Sequence, residues 1–257
     1  MNSTDVLPAP GTVSRLAAAS ADYDVRLAQT ADEVRAAQEL RFQVFNLELG
    51  KGLEASYRTG LDRDPFDAVC DHVLVYHRRT GELAGTYRVQ AGEAAGARLG
   101  YYSEQEFDFS PFADLRPRLI ELGRACVHRR HRNLTVLGLL WKGIAGYARE
   151  RRGRFLIGCS SIAVEDPAAA GLLYAKLAAR HLAPGHRRTG PRPGWECPES
   201  AEPASVPALP KLMLAYLSLG AHVCGVPAWD REFGTVDFLT LLDLEALPPA
   251  AKRRFLE

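Results

Sequence analysis

Residues 118–142 constrain the fold most strongly, because the hydrophobic pattern changes there from that of a strand to that of a helix. The largely apolar run that ends near His128 predicts a buried strand, and Arg129–Arg132 forms a basic turn directly after it. Beyond the turn, apolar side chains recur at helical spacing, at Val136, Leu139, Leu140 and Ile144. The segment therefore predicts a strand, a cationic turn and the start of a helix, where unpaired N–H groups can hold a phosphate.

Two charged residues, Glu121 and Arg124, interrupt the predicted strand. Buried charges are costly unless they are paired or used in binding or catalysis. Side chains alternate between the faces of a regular strand, whereas a bulge at Gly123 would turn these two toward one face. Two interpretations remain open. Either Glu121 accepts a proton from an amine while Arg124 pairs it or binds an anion, or the two form a buried ion pair without chemistry.

The basic turn Arg129–Asn133 is a less specific signal. It lacks the glycines of a Walker loop, which argues against ATP as a ligand. A phosphate site is favoured because the turn leads directly into a helix, and an exposed basic turn without a ligand is the alternative.

The composition argues against several classes of function. The 257 residues carry a net charge of +1, so no overall positive field favours nucleic acid. The five cysteines form no CxxC pair, which indicates reduced thiols and predicts neither a disulfide framework nor a metal site. Neither a signal peptide nor an apolar run of the ~20 residues needed for a membrane span is evident. We expect a cytoplasmic protein whose membrane contact, if any, is peripheral.

The remaining elements follow from periodicity and from turn residues. Strands are predicted near 23–28, 72–77, 83–90, 154–160, 222–226 and 236–242, and helices near 30–49, 167–180, 212–219 and 246–257. This mixture of hairpins and crossovers predicts an α/β (α+β) fold with a mixed central sheet flanked by helices. Residues 1–20 are predicted to be a flexible tail, and 21–257 a single domain with a Pro-rich excursion at 183–210.

Two connections are long enough to carry function. Residues 51–70, together with Asp71, are rich in aspartate. A solvated or substrate-facing loop is favoured over a calcium site, because the spacing of an EF-hand is absent. Residues 91–117 are rich in aromatic side chains, and they either form a lid over a site or fill a satellite core.

Four further residues have a functional and a structural interpretation. His72 follows Asp71 at the head of a strand and is either a proton carrier or a structural histidine. Arg88 lies within a strand and Arg41 on the first helix, and both can simply face solvent. Tyr174 lies on an apolar helix face, where a core role is commoner than that of an acid.

Several motifs, taken together and in order, resemble known enzyme families. Those shared with acyl-homoserine-lactone synthases are Arg41-Phe-Gln-Val-Phe45, the acidic loop with Asp62, Asp64 and Asp71, Gly85-Thr-Tyr-Arg88 and Glu121-Leu-Gly-Arg124. The chain resembles more closely the hemolysin-like ornithine lipid N-acyltransferases of the GNAT superfamily. The motifs for this second likeness are Cys70-Asp-His-Val-Leu-Val75, Leu139-Leu-Trp-Lys-Gly143, 209–220 and Gly225-Val-Pro-Ala-Trp-Asp230 to Asp237-Phe238. The similarity covers roughly residues 22–257.

This resemblance implies a GNAT-like acyltransferase fold and an acyl-acyl-carrier-protein donor, typically 3-hydroxyacylated. It implies ornithine as the acceptor, with a lyso-ornithine lipid as the product, although members of the group also use other amino acids. The glycine-containing coenzyme A loop of the wider superfamily is replaced here by Arg132–Leu137. A carrier-bound phosphopantetheine needs fewer backbone contacts, and the basic turn suits an acidic carrier protein. No covalently bound cofactor, no metal and no nucleic acid are implied.

The resemblance also implies roles for individual residues. Glu121 would be the base, Arg124 its neighbour at the amine, Tyr174 a candidate acid, and a backbone N–H near Cys126 would stabilise the oxyanion. The acceptor pocket would contain Arg41, Asp62, Asp64, Asp71, His72 and Arg88. The donor would contact Cys126, His128, Arg129, Arg132, Asn133 and Trp141, with aromatic residues of 101–112 holding the acyl chain.

Two alternatives compete with this interpretation. An acyl-homoserine-lactone synthase would share Arg41, Asp64, Glu121 and Arg124 but would use S-adenosylmethionine as the acceptor, and residues 209–240 argue against it. A catalytically silent module would bind a carrier protein or the inner membrane surface through the segment 183–210 and the basic tail Lys252–Phe255.

Overall fold

The chain folds around one mixed sheet, seen in a computed structural model that describes residues 20–198 and 207–256. In chain order, the eight strands of these ranges are β1 (Tyr23–Leu27), β2 (Asp71–His77), β3 (Leu83–Ala91), β4 (Leu119–Val127), β5 (Phe155–Ala163), β6 (His222–Val223), β7 (Ala228–Asp230) and β8 (Thr235–Asp243). The strand order is β1-β2-β3-β4-β5-β8-β6, and β7 also pairs with β8. Among the pairs of named strands in the described ranges, only β4 and β5 run parallel.

Helices cover both faces of the sheet. The described α-helices are α1 (Ala31–Phe42), α2 (Gly92–Ala97), α3 (Leu134–Glu150), α4 (Ala170–His181), α5 (Lys211–Ser218) and α6 (Pro249–Phe255). A π-helix (Gln43–Glu48) continues α1, and 3-10 turns occur at Glu54–Arg58, Pro65–Ala68, Tyr102–Gln105, Ser110–Arg118, Arg129–His131, Pro167–Ala169, Gly185–Arg187 and Leu244–Ala246. Apolar residues of α3, α5 and α6 pack on one face of the sheet in the main core. On the opposite face α1 packs near Cys126, and the aromatic residues of 101–112 form a second core.

The predicted fold class is confirmed, and most predicted elements are present within a few residues. Thr30 caps α1, where its hydroxyl accepts a hydrogen bond from the N–H of Glu33. The hairpin between β2 and β3 turns at Gly81, whose φ of +67° suits glycine. The elements that sequence missed are α2, which lacks an apolar stripe, and β7, which is three residues long.

The described part of the Pro-rich segment contacts the sheet. Residues 183–198 lie along the sheet edge, with bridges from Thr189 to Gly225 and from Glu196 to Ala228. Residues 199–206 lie outside the described part of the chain, as does the N-terminal tail up to residue 19. The five cysteines, all within the described part, form no disulfide. No helix of the described ranges is long and apolar enough to cross a membrane.

The feature that creates a site is the divergence of the two parallel strands. β4 and β5 pair only from Leu119 to Glu121 opposite Phe155–Ile157, although both strands continue further. At the point of divergence Gly158 lies so close to β4 that a Cβ there would be 2.2 Å from the carbonyl oxygen of Leu122. Only glycine fits this contact without displacing backbone.

We expect Gly158→Ala to destabilise the protein by about 1–3 kcal/mol, because the added methyl must push the two strands apart. The matched control is Gly123→Ala, since a Cβ at Gly123 would meet nothing within 4 Å. Urea unfolding should show this loss in the free energy of unfolding for Gly158→Ala, and a change within about 0.5 kcal/mol for Gly123→Ala. Equal effects at the two positions would contradict the close approach of the strands.

Candidate active site

A cavity of about 530 Å³ opens where β4 and β5 diverge. Its volume lies within the range of about 300–1,000 Å³ found for small-molecule sites. Because side chains alternate across a sheet, neighbouring residues of one strand reach different sides of this cavity. On β3, Tyr87 and Val89 face the side covered by α3, while Arg88 and Gln90 face the side covered by α1.

The cavity consequently has two chemically different halves. The half on the α3 side is apolar and is lined by Tyr87, Val89, Leu122, Leu156, Leu212, Met213, Tyr216, Ala221 and Leu242. The other half is polar and charged and is lined by Arg88, Gln90, Ser103, Glu121, Arg124, Cys159, Ser161, Asp230 and Asp237. An apolar chain and a charged small molecule can therefore meet at the gap between the two strands.

A bulge in β4 brings Glu121 and Arg124 to the same half. Opposite Tyr87 of β3, β4 has two residues, Arg124 and Ala125, where a regular ladder would have one. Arg124 adopts a left-handed conformation with φ of +49°. The predicted bulge is therefore confirmed, but the extra residue follows Gly123. Both charged side chains line the cavity, as the prediction required.

Glu121 is buried and held by three hydrogen bonds. The backbone N–H groups of Tyr102 and Ser103 donate to its carboxylate at 2.6 and 2.7 Å, and the Ser103 hydroxyl donates at 2.7 Å. Burial raises the pKa of Glu121, and the bonds from Ser103 and Tyr102 oppose that rise. A carboxylate has about four acceptor positions, so one remains for a ligand. The predicted Glu121–Arg124 ion pair is not formed, because Arg124 bonds to other carboxylates.

The acidic loop folds back onto α1 and forms an ion network with three arginines. Arg41 donates to Asp62 at 2.8 Å and to Asp67 at 2.6–2.9 Å, and the side chains of all three residues are at most 5% exposed. Burial alone would raise the pKa of Asp67, but the bonds and charges of Arg41 and Arg88 hold it below its usual range. The interpretation of this loop as solvated was wrong, since its acids neutralise buried arginines.

The same network positions the two arginines that line the cavity. Arg88 donates to Asp64 at 2.6 Å and to Asp67 at 3.1 Å. Arg124 donates to the other oxygen of Asp64 at 3.2 Å, and its guanidinium lies 4.4 Å from the centre of the Phe233 ring. Its Nε has no hydrogen-bond partner in the described structure. That Nε is buried and lies 3.6 Å from Oδ1 of Asp62, so Arg124 presents its positive charge, and not a free Nε donor, to the cavity.

Most residues predicted to contact the acceptor support the site without lining it. Of these residues only Arg88 lines the cavity, whereas Arg41, Asp62, Asp64, Asp71 and His72 lie outside its lining. Asp71 accepts a hydrogen bond from Tyr147 of α3, on the far face of β2. His72 is buried against Asp67, and burial lowers its pKa to about 4, so it is neutral.

The predicted donor residues lie beyond the cavity, at the basic turn and the start of α3. Asn133 caps α3 by accepting a hydrogen bond from the N–H of Val136. His128 caps the 3-10 turn, and Arg132 pairs with Glu48. Arg129 is exposed and belongs to no ion pair among residues 20–198 and 207–256. Part of the positive charge of the turn is therefore neutralised within the protein.

Three other predicted residues are core residues. Trp141 packs against Tyr216 and Phe255, so it supports the apolar half of the cavity without lining it. Tyr174, the candidate acid, packs on a separate core cluster and does not line the cavity. Cys126 is buried against α1, and the bulged peptide lies one to two residues before it. The aromatic residues of 101–112 fill the second core, except Tyr102, which lines the cavity.

Sequence reasoning missed a second group of acids at the charged half. Asp230 and Asp237 line the cavity, and Glu106 lies behind them beside Cys159. Burial first, and then the charges of the neighbouring aspartates, raise the pKa of Glu106 well above its usual range. The available signal was Asp237 itself, a charge within an apolar strand like Glu121.

Comparison with known proteins agrees with this architecture. A family model for the acetyltransferase (GNAT) domain matches residues 40–142. Among solved structures, the acyl-homoserine-lactone (AHL) synthase LasI aligns with a TM-score of 0.52 and 13% identity, covering 91% of this chain and 94% of LasI. FeeM, an N-acyl amino acid synthase from uncultured soil microbes, aligns with a TM-score of 0.52 and 14% identity, covering 90% and 97%. At such identities the likeness concerns the fold alone.

Two relatives are similar over most of their length. L-ornithine N(alpha)-acyltransferase of Rhodobacter capsulatus is 34% identical over 243 residues, which cover 90% of this chain and 94% of that protein. The enzyme of the same name from Brucella abortus is 33% identical over 249 residues, covering 87% and 85%. With this identity and coverage, and with a GNAT fold, the chain belongs to the family of L-ornithine N(alpha)-acyltransferases.

Proposed function

We propose that the chain transfers a 3-hydroxyacyl group from the phosphopantetheine thioester of acyl carrier protein to the α-amino group of ornithine. The names of the relatives support this acceptor. The observation that carries the proposal is the cavity at the β4–β5 gap, because it joins an apolar half to a charged half containing Glu121. N-acylation of an amino acid by a fatty acyl thioester needs both halves.

The acyl chain occupies the apolar half in this proposal. Leu122, Leu156, Met213 and Leu242 line that half, so a hydrocarbon chain entering it loses contact with water. Tyr87 and Tyr216 meet there through a hydroxyl–hydroxyl contact. The thioester carbonyl then lies near the gap, where the two halves join.

Glu121 acts as the base. It accepts a proton from the α-ammonium of the acceptor, directly or through water, and the free amine attacks the thioester carbonyl carbon. The C–S bond of the resulting tetrahedral intermediate breaks, the phosphopantetheine thiolate leaves and takes up the proton that the attacking nitrogen loses, and an amide remains. The raised pKa of the buried carboxylate suits this task better than that of an exposed glutamate.

Two further elements support the reaction. The α-carboxylate of the acceptor binds at Arg124, which lines the cavity, and Arg88 adds a second positive charge at the same wall. The bulge at Arg124 and Ala125 takes backbone out of regular pairing, which leaves an N–H group free to stabilise the oxyanion.

The donor approaches from the basic turn. A phosphopantetheine arm reaches from the protein surface to the β4–β5 gap, so its phosphate lies near the start of α3. Arg129 is exposed and pairs with no carboxylate in the described part of the chain, so it is available to the acidic surface of a carrier protein. This electrostatic contact is the reason to prefer a carrier protein over coenzyme A as the donor.

The proposal is tested by offering purified enzyme 3-hydroxyacyl-carrier protein or 3-hydroxyacyl-coenzyme A together with ornithine, lysine, glycine, glutamine or S-adenosylmethionine. We expect mass spectrometry to detect N-acylornithine, formed faster from the carrier-protein donor. Release of a homoserine lactone from S-adenosylmethionine would instead identify an AHL synthase. Donor binding without release of free thiol with any acceptor would contradict the proposed activity.

A further inference from the structure

We propose that an acidic cluster of Glu106, Asp230 and Asp237 binds the side-chain ammonium of the acceptor amino acid, an inference that rests on the proposed N-acylation of ornithine. The cluster lies at the charged half of the cavity, where Asp230 and Asp237 line the wall. A site of this kind selects acceptors that carry a second amine at the end of the side chain.

The three carboxylates have no cationic partner in the described ranges. None of them takes part in an ion pair, whereas Asp62, Asp64 and Asp67 nearby are each paired with arginine. The charge of Arg124 acts on Asp237 from a distance, but Arg124 donates its hydrogen bond to Asp64. Buried carboxylates without a counter-ion either take up protons or bind a cation, so a positively charged ligand would stabilise the cluster in its ionised form.

The hydrogen bonds that Asp237 and Asp230 accept do not supply a positive charge to the cluster. Asp237 accepts from the Thr235 hydroxyl at 2.7 Å and from the Ser161 hydroxyl at 3.0 Å, and these donors are neutral. One oxygen of Asp230 accepts from two backbone N–H groups of the following turn. Burial raises the pKa of Asp237 to about 6 and the charge of Asp230 adds to the rise, while the two hydroxyl donors and the charge of Arg124 oppose it.

Glu106 provides independent support for a ligand. Its side chain is fully buried, one oxygen lies 3.5 Å from the Cys159 sulfur, and the other oxygen has no hydrogen-bond partner among the described residues. Ligand atoms of Glu106, Cys159 and Asp237 lie within 4.8 Å of one another. A primary ammonium has three N–H donors, which suits such a set of close acceptors.

The cluster is also close enough to the base for one amino acid to contact both. The Ser103 hydroxyl that donates to Glu121 lies 3.4 Å from the Cys159 sulfur, which in turn contacts Glu106. Only one serine and one cysteine side chain therefore separate the two sites. An acceptor with its α-amine at Glu121 reaches the cluster through a short side chain that ends in an ammonium.

The test compares ornithine with norvaline, which has the same carbon chain without the terminal amine. For Asp237→Asn and Glu106→Gln we expect kcat/KM for ornithine to fall about 10- to 100-fold, as for a lost charge-assisted hydrogen bond, with little change for norvaline. Asp243→Asn is the matched control, because Asp243 ends the same strand outside the cavity and pairs with Arg154. This variant should leave the ratio of kcat/KM for ornithine to kcat/KM for norvaline unchanged.

Two results would overturn the inference. If the ratio of kcat/KM for ornithine to kcat/KM for norvaline stays unchanged in both variants, the cluster does not bind the side-chain ammonium. Stoichiometric binding of Zn²⁺ by the wild-type protein, lost in Asp237→Asn and measured by calorimetry, would assign the cluster to a metal. Wild-type enzyme that acylates neither acceptor would refute the proposed function itself, which is a separate outcome.

Discussion

Replacing Glu121 by glutamine should lower kcat/KM for the amino-acid acceptor by about 10²- to 10⁴-fold, the usual contribution of a general base. The amide cannot take a proton from the ammonium, while its size leaves the surrounding packing unchanged. Wild-type activity should fall as the pH drops through the raised pKa of Glu121, because the protonated acid is no longer a base. The variant should lose this dependence. The measurement is the pH profile of kcat/KM for both proteins.

A control variant must distinguish the role of Glu121 as a base from its structural role. Glu121 also holds the Tyr102–Gln105 turn through three hydrogen bonds. Ser103→Ala removes one of these bonds and leaves the carboxylate in place, so its activity should fall by less than about tenfold. Acyl-donor affinity should be unchanged in Glu121→Gln. Equal losses in both variants, with both pH profiles intact, would reduce Glu121 to a positioning residue.

The fold was predictable because its elements carry local signals. The change of period at residues 118–142, the Thr30 cap and the Gly81 hairpin each depend on neighbouring residues only. The path of residues 183–198 along the sheet was not predictable, since its bridges to Gly225 and Ala228 join segments distant in sequence. Proline content indicates that a segment avoids helix, and does not reveal what it packs against.

The site was predictable in part, for a related reason. Glu121 and Arg124 were identified because charges within an apolar strand require an explanation, and the bulge places both in the cavity. The partners of the acids in the 51–70 loop were not predictable, because spacing does not show which arginine a carboxylate meets. Asp62 and Asp67 turn toward Arg41 of α1, so they organise the arginines at the cavity wall and do not line the cavity themselves.

Replacing Arg41 by methionine should destabilise the protein by about 3–5 kcal/mol, the cost of leaving buried charges without a partner. Methionine fills much of the space of the arginine stem but cannot neutralise Asp62 and Asp67, whose side chains are at most 5% exposed. Urea unfolding should show a lower midpoint with an unchanged slope. The position of the Arg88 side chain should also become less fixed, because Arg88 shares Asp67 with Arg41.

Arg35→Met provides the matched control on the same helix. Arg35 forms an exposed pair with Glu39, so its loss should cost no more than about 0.5 kcal/mol. A cost below about 1 kcal/mol for Arg41→Met would mean that water enters the network and solvates the two aspartates. In that case the acidic loop could not fix the arginines, and the assignment of Arg124 to the acceptor carboxylate would lose its structural basis. A large cost confined to Arg41 would establish that the paired aspartates of the loop, which do not line the cavity, determine where the cavity presents positive charge.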